Sequence, residues 1–224
     1  MIEYDAEEKR MVLKLVYFGP ALSGKTTNLL HLHELLDRSR RGDLVVLDTR
    51  DDRTILFDLL PFFFITPAGL KLKVKVFTVP GHVRHNATRK AVLARADGVA
   101  FIADSQRREA ANNRESFSNL EENLAYVGSD IDALPLVIQF NKRDLADILP
   151  EEEIRATWDA TGIPVVLASA LRTQGVVETF KLLLERTWDH VDRDFDLAGA
   201  WQLPRNDFVD NIVRFSVQGA GGAS

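Results

Sequence analysis

The stretch Gly19-Pro20-Ala21-Leu22-Ser23-Gly24-Lys25-Thr26 constrains this chain more than any other. Gly, four residues, Gly, Lys and then a hydroxyl residue is the pattern of a loop that cradles phosphates. Both flanks agree with it. Met11 to Phe18 is apolar and β-prone, which predicts a buried strand, and Thr27 to Leu36 places leucines at helical spacing. Between strand and helix, backbone N–H groups converge on one point, and the positive helix end adds to the field there. The candidate contacts are Gly19, Ala21, Leu22, Ser23, Gly24, Lys25, Thr26 and Thr27. Lys25 brings a full charge to the β- and γ-phosphates, and the Thr26 hydroxyl is placed to ligate Mg²⁺. A nucleotide phosphate site is the reading.

The rest of the chain alternates strand and helix signals. Leu44 to Leu47 reads as a short strand or strand entry, followed by the all-polar stretch 48–54, a candidate to fold back over the phosphates. Ile55 to Ile65 is the most hydrophobic segment, and Leu70 to Phe77 alternates apolar residues with Lys71, Lys73 and Lys75. Together they predict an antiparallel hairpin with one wet face. Strands are expected at 98–103, 134–140 and 163–168, with helices at 89–95, 109–127, from 150 onward, and 175–191. Such alternation gives a mostly parallel sheet covered on both faces, with the ligand beyond the carboxyl ends of its strands. Residues 1–10 read as a charged surface lead-in. Residues 192–224 read as a tail whose Trp201, Phe208, Ile212, Val213 and Phe215 dock, while its small-residue end stays disordered.

Composition excludes several functions. A net charge of −5 without a basic block argues against nucleic acid as the primary partner. The absence of cysteine removes disulfides, thiolate metal sites and thiol-linked lipid anchors. The first residues lack a myristoylation glycine and a signal-peptide pattern, and no apolar run is long enough to span a bilayer. A cytoplasmic protein without a direct membrane anchor is expected.

Downstream, Asn141-Lys142-Arg143-Asp144 closes one strand and Ser169-Ala170-Leu171 the next. A carboxylate accepts from both the ring N–H and the exocyclic amino group of guanine, and adenine offers no such donor pair on that edge. Asp144 therefore discriminates the base. Asn141, Lys142, Ser169, Ala170 and Leu171 complete the candidate base site.

These motifs, with Pro80-Gly81, resemble the successive nucleotide motifs of Ras-like small GTPases. The match is narrower still. Thr49, Asp52, Arg53, Thr54, Phe57, Asp58 and Pro61, with Thr78-Val79-Pro80-Gly81, Arg89-Lys90 and Ala103-Asp104-Ser105-Gln106, are similar to bacterial gliding-motility (MglA-type) GTPases over about residues 10–190. The resemblance implies an α/β P-loop NTPase fold, a Ras-like G domain with a mostly parallel, six-stranded central sheet flanked by helices, spanning 1–191. It implies GTP/GDP and Mg²⁺ as ligands, with Thr26 and Thr54 on the metal and Thr54 and Gly81 at the γ-phosphate. Arg53 would act as an arginine finger in cis, a device that rewards turnover by about 10³–10⁵. A roadblock-fold (MglB-type) activating protein and effectors of cell polarity or motility would be the partners.

Three departures from the Ras-like pattern bear on rate. Thr78 stands where an Asp usually supports Mg²⁺, a replacement that MglA-type members share. His82 takes the place of the glutamine that orients the attacking water, and its ordinary pKa near 6.5 makes that role pH-dependent. Ala21 puts a methyl where glycine is usual. Slow intrinsic hydrolysis is expected, with Lys25, Arg53, Thr54 and His82 as the catalytic set. Two alternatives remain open at this stage. One is a GTP-binding scaffold with little catalysis; the other is an ATP-using motor-type NTPase, which lacks a tandem acidic strand end here. Arg84, Arg89 and Lys90 read most simply as a charged helix surface.

Overall fold

The computed structural model describes residues 2–39, 41–47, 57–81 and 86–214. The polar loop at 48–54, with Arg53 and Thr54, His82, and the end of the tail therefore lie outside the described residues.

Eight strands form one mixed sheet: β1 (Glu3–Asp5), β2 (Arg10–Phe18), β3 (Val45–Leu47), β4 (Phe57–Ile65), β5 (Lys71–Thr78), β6 (Gly98–Asp104), β7 (Leu136–Asn141) and β8 (Val165–Leu167). The order across the sheet is β3-β4-β5-β2-β6-β7-β8. β2 lies parallel to both β5 and β6, and β6, β7 and β8 continue in parallel. β4 and β5 form the expected antiparallel hairpin, and β3 pairs antiparallel with β4. β6 and β7 are buried along their whole length, as strands covered on both faces must be.

The described residues hold six α-helices: α1 (Lys25–Leu35), α2 (Asn86–Leu93), α3 (Ala110–Tyr126), α4 (Glu151–Trp158), α5 (Val176–Phe195) and α6 (Arg205–Ile212). On one face of the sheet, Leu13, Leu15 and Tyr17 of β2 join Leu29 of α1, Phe180 of α5 and Phe208 of α6 in a single buried cluster. On the other, Val16 and Phe18 meet Leu93 of α2, Leu120 of α3 and Ile154 of α4. The alternation along β2 places its neighbours in opposite cores.

Three expectations are corrected. The sheet has eight strands, not six, because β1 and β3 both pair. Residues 3–5 are a strand rather than a lead-in. They occupy the edge of β2 at residues 10–12, below the point where β6 begins its pairing at Leu15. Only Ile2 and Tyr4 carry the period of that strand, too short a signal to stand out. In the tail, expected only to dock, residues 192–195 extend α5 and Arg205–Ile212 form α6. Phe208, Val209 and Ile212 of α6 are buried in the first core, Phe208 lies edge-on to Phe64, and Trp188 Nε1 of α5 donates to Leu203 O at 3.0 Å. Chain start and tail also meet, with Tyr4 edge-on to Phe195 and Trp201.

Candidate nucleotide-binding site

Four strand ends converge at one edge of the sheet, and each hands its chain to a candidate loop. β2 leads into Gly19–Gly24 and then α1, β5 into Pro80-Gly81, β7 into Asn141–Asp144, and β8 into Ser169–Leu171. The first loop is held in strained backbone. Gly24 has φ 100°, which side chains disfavour, and a β-carbon there would strike the Asn141 amide. Leu22, at φ 60° and 89% exposed, takes a left-handed conformation that a leucine adopts only where its surroundings impose it.

No side chain caps the start of α1, and no acid stands in its first turn. The first-turn amides of a helix have no intrahelical acceptor, so they point out of the loop with the positive helix end behind them. Lys25 is buried and folds back, its Nζ donating to Gly19 O at 3.0 Å and Pro20 O at 2.6 Å. This cradle of uncapped amides, a positive end and an ammonium suits a polyphosphate. Thr26 is exposed at its mouth. Among the described residues no cluster of His or acidic side chains forms a metal site. The exposed Thr26 hydroxyl is an oxygen donor of the kind that would hold a magnesium ion beside substrate phosphates.

Asn141 ties the two halves of the site together. Its Nδ2 donates to Ser23 O in the phosphate loop at 2.8 Å, and its Oδ1 accepts from Ala170 N at 2.8 Å. Both ends of one buried amide are thus used in bracing loops. Asp144 accepts a short hydrogen bond from Ser169 Oγ, and this bond is the main reason its carboxyl lies below the usual carboxylate range. The group is ionised at neutral pH. Ser169 is buried, Leu171 is exposed, and Lys142 Nζ donates to buried Asp104 at 2.6 Å.

The sequence comparison agrees with this geometry. The mutual gliding-motility protein MglA of Myxococcus xanthus (strain DK1622) is 42% identical over 180 residues, covering 80% of this chain and 91% of that protein. The chain belongs to the MglA family of small GTPases. No family model matches it.

The expected residues 19–27, 81, 141–144 and 169–171 of this MglA-family GTPase are accordingly brought to one edge. Gly81 stacks on the phosphate loop so closely that a β-carbon on it would collide with the Ala21 backbone and press on its methyl. The close approach leaves room for no side chain at position 81.

Two parts of the site went unread in the sequence. Arg89 is not a surface residue of α2 but is 1% exposed. Its Nε donates to Pro80 O at 2.9 Å, its Nη2 to Gly81 O, and its Nη1 to Asn119 Oδ1 on α3 at 2.6 Å, with the guanidinium over the Phe18 ring. Burial lowers its pKa to about 10, so it stays charged at neutral pH. The second part lies beneath the phosphate loop. Asn28 of α1 and Gln139 of β7 exchange amide hydrogen bonds at 3.0 Å each, Asn28 also reaches Gly24 O, and Gln139 reaches Thr179 of α5. A lone glutamine inside the apolar run Leu136 to Phe140 was the available signal. Gln139→Leu is expected to leave Asn28 Oδ1 without its donor, Nδ2 keeping Gly24 O, and lower unfolding free energy by about 1–3 kcal/mol. Urea denaturation of the two proteins measures it.

Proposed function

We propose that this GTPase is a Mg²⁺-dependent GTP/GDP switch in bacterial cell polarity or motility, with slow intrinsic hydrolysis by in-line attack of water on the γ-phosphate. The observation that carries the reading is the Asn141 brace, which supports one ligand spanning a phosphate loop and a base-reading carboxylate. In this reading Gly24, Lys25 and Thr26 bind phosphates and metal, Thr54 joins Thr26 on Mg²⁺, and Gly81 senses the γ-phosphate. Asp144 reads guanine, with Asn141, Lys142, Ser169, Ala170 and Leu171 shaping its loop. Arg53 stabilises transition-state charge in cis, and His82 orients the water. The relative's name, a gliding-motility protein, supports the process. A roadblock-fold, MglB-type activator and polarity or motility effectors are the proposed partners. No helix among the described residues is long and apolar enough to cross a membrane, which supports a cytoplasmic protein recruited through those partners.

Single-turnover hydrolysis of GTP with Mg²⁺ tests the proposal. The unmodified protein is expected to turn over on the order of 10⁻⁴ s⁻¹, the range of an unassisted small GTPase. Arg53→Ala should slow it, and Ala21→Gly should speed it by removing the methyl proposed to crowd the residues that close on the γ-phosphate. Equal binding of ATP and GTP would remove the base assignment, and a rate indifferent to Arg53 would remove the finger.

A further inference from the structure

The face of the sheet that carries α2, α3 and α4 is only half covered. Helices lie over β6 and β7 and reach Phe77 at the end of β5, while among the described residues no helix packs on the outward side of β4 or of Lys71 to Lys75. Register arranges that open face in three cross-strand rows: Pro61 beside Lys75, Phe63 beside Lys73, and Ile65 beside Lys71. Each row continues onto β2, at Lys14, Val12 and Arg10. The result is an apolar ridge on one strand and a basic ridge on the next. Phe63 is 45% and Ile65 67% exposed. Among the described residues none of the three β5 lysines is in an ion pair. The charge stands out on a chain of net −5.

We propose that this open face docks an acidic amphipathic helix of a partner protein. Charge and dimension both select that occupant. Alternate residues over five positions of a strand span about 13 Å, and two strands lie about 4.8 Å apart. A helix presenting apolar and acidic side chains at i, i+4 and i+7 spans about 10 Å, with its two stripes side by side. The ridges meet those stripes in parallel. Burial lowers the Lys73 pKa first, Lys75 and Arg10 lower it further and Glu3 raises it, so added carboxylates would favour its charged form. A lipid surface fits less well. The Lys73 ammonium lies over the Phe63 ring at 4.8 Å, so the apolar ridge runs beside the charges and does not project beyond them into a bilayer. Nucleic acid fits poorly too, since Asp5 and Glu8 pair with Arg10 at the end of the basic stripe.

The test uses the full chain and a fluorescein-labelled synthetic helix of about 14 residues with leucine and glutamate on adjacent stripes. Anisotropy is expected to show saturable binding that weakens about tenfold or more with Lys71→Glu/Lys73→Glu/Lys75→Glu, and also with exposed-site Ile65→Ser. A peptide carrying lysine for glutamate should bind the triple variant better than the unmodified chain. Amide NMR shifts should map to β4 and β5, and unchanged nucleotide affinity and thermal unfolding would show that the variants are folded. Peptide binding indifferent to both variants, or shifts confined to other surfaces, would overturn the proposal. So would sedimentation with phosphatidylserine vesicles in the absence of peptide binding.

Discussion

Arg89→Met is expected to destabilise the fold by about 2–4 kcal/mol and to loosen the start of the loop after β5. Methionine keeps most of the side-chain volume, so little cavity forms. What is lost is the donor set: Pro80 O, Gly81 O and Asn119 Oδ1 each lose a charge-assisted partner. An unsatisfied buried acceptor costs about 1–3 kcal/mol. Asn119 Oδ1 keeps the Asn123 Nδ2 donor, so the cost falls on the two carbonyls, and it is partly offset because a desolvated guanidinium no longer has to be buried. For a chain of this length the melting temperature should fall by roughly 4–16 °C. Differential scanning calorimetry reads that fall. A functional readout separates anchoring from mere stability. Because Gly81 is the proposed γ-phosphate contact, the affinity loss should fall on GTP and spare GDP, and Arg89→Lys should recover part of it. Equal losses for both nucleotides would reduce Arg89 to a structural residue.

Asp144→Asn is expected to exchange base preference. The ionised carboxylate offers acceptors to both donors on the guanine edge. An amide offers one acceptor and one N–H₂, and the latter faces the exocyclic amino group of guanine donor to donor. Xanthine carries an oxygen at that position and accepts instead. A site built around paired hydrogen bonds rejects a mismatch strongly, so GDP affinity should drop by about a hundredfold or more while XDP affinity rises. Competition titration with a fluorescent nucleotide measures both. The asparagine can still accept from Ser169 Oγ, so the loop at 141–144 should keep its shape. Unaltered preference for guanine would move base recognition away from Asp144.

The parts of the site legible in the sequence were those whose chemistry is written in consecutive residues. Gly19 to Thr26 and Asn141 to Asp144 announce themselves because a tight backbone approach demands glycine and a base edge demands a carboxylate. The hairpin of β4 and β5 showed through strict alternation, and the wet lysine face came with it. What escaped depends on distant partners. Nothing local tells Arg89 from an exposed helix cation, because its acceptors lie at 80, 81 and 119. Asn141 reads as a base contact, and nothing local shows that its amide also braces loops reached from Ser23 and Ala170. The helix α6 follows a proline and is short, and its apolar residues find their partners only on α5 and β4. Strand β1 is too brief for its period to register.

The placement of β2 sets a timetable for synthesis. Its first neighbour, β1, is already made when β2 appears, and β5 follows within the next sixty or so residues. The lid over Leu13, Leu15 and Tyr17 comes much later, since Phe180 and its helix α5 end at residue 195. At about 5–20 residues per second, the roughly 120 residues between β5 and the end of α5 take roughly 6–24 s on a ribosome. For that interval α1 alone lies over a nascent sheet whose leucines and aromatics still await α5 and α6. The nascent chain is most exposed to aggregation, and most in need of a chaperone, before its final third has been translated.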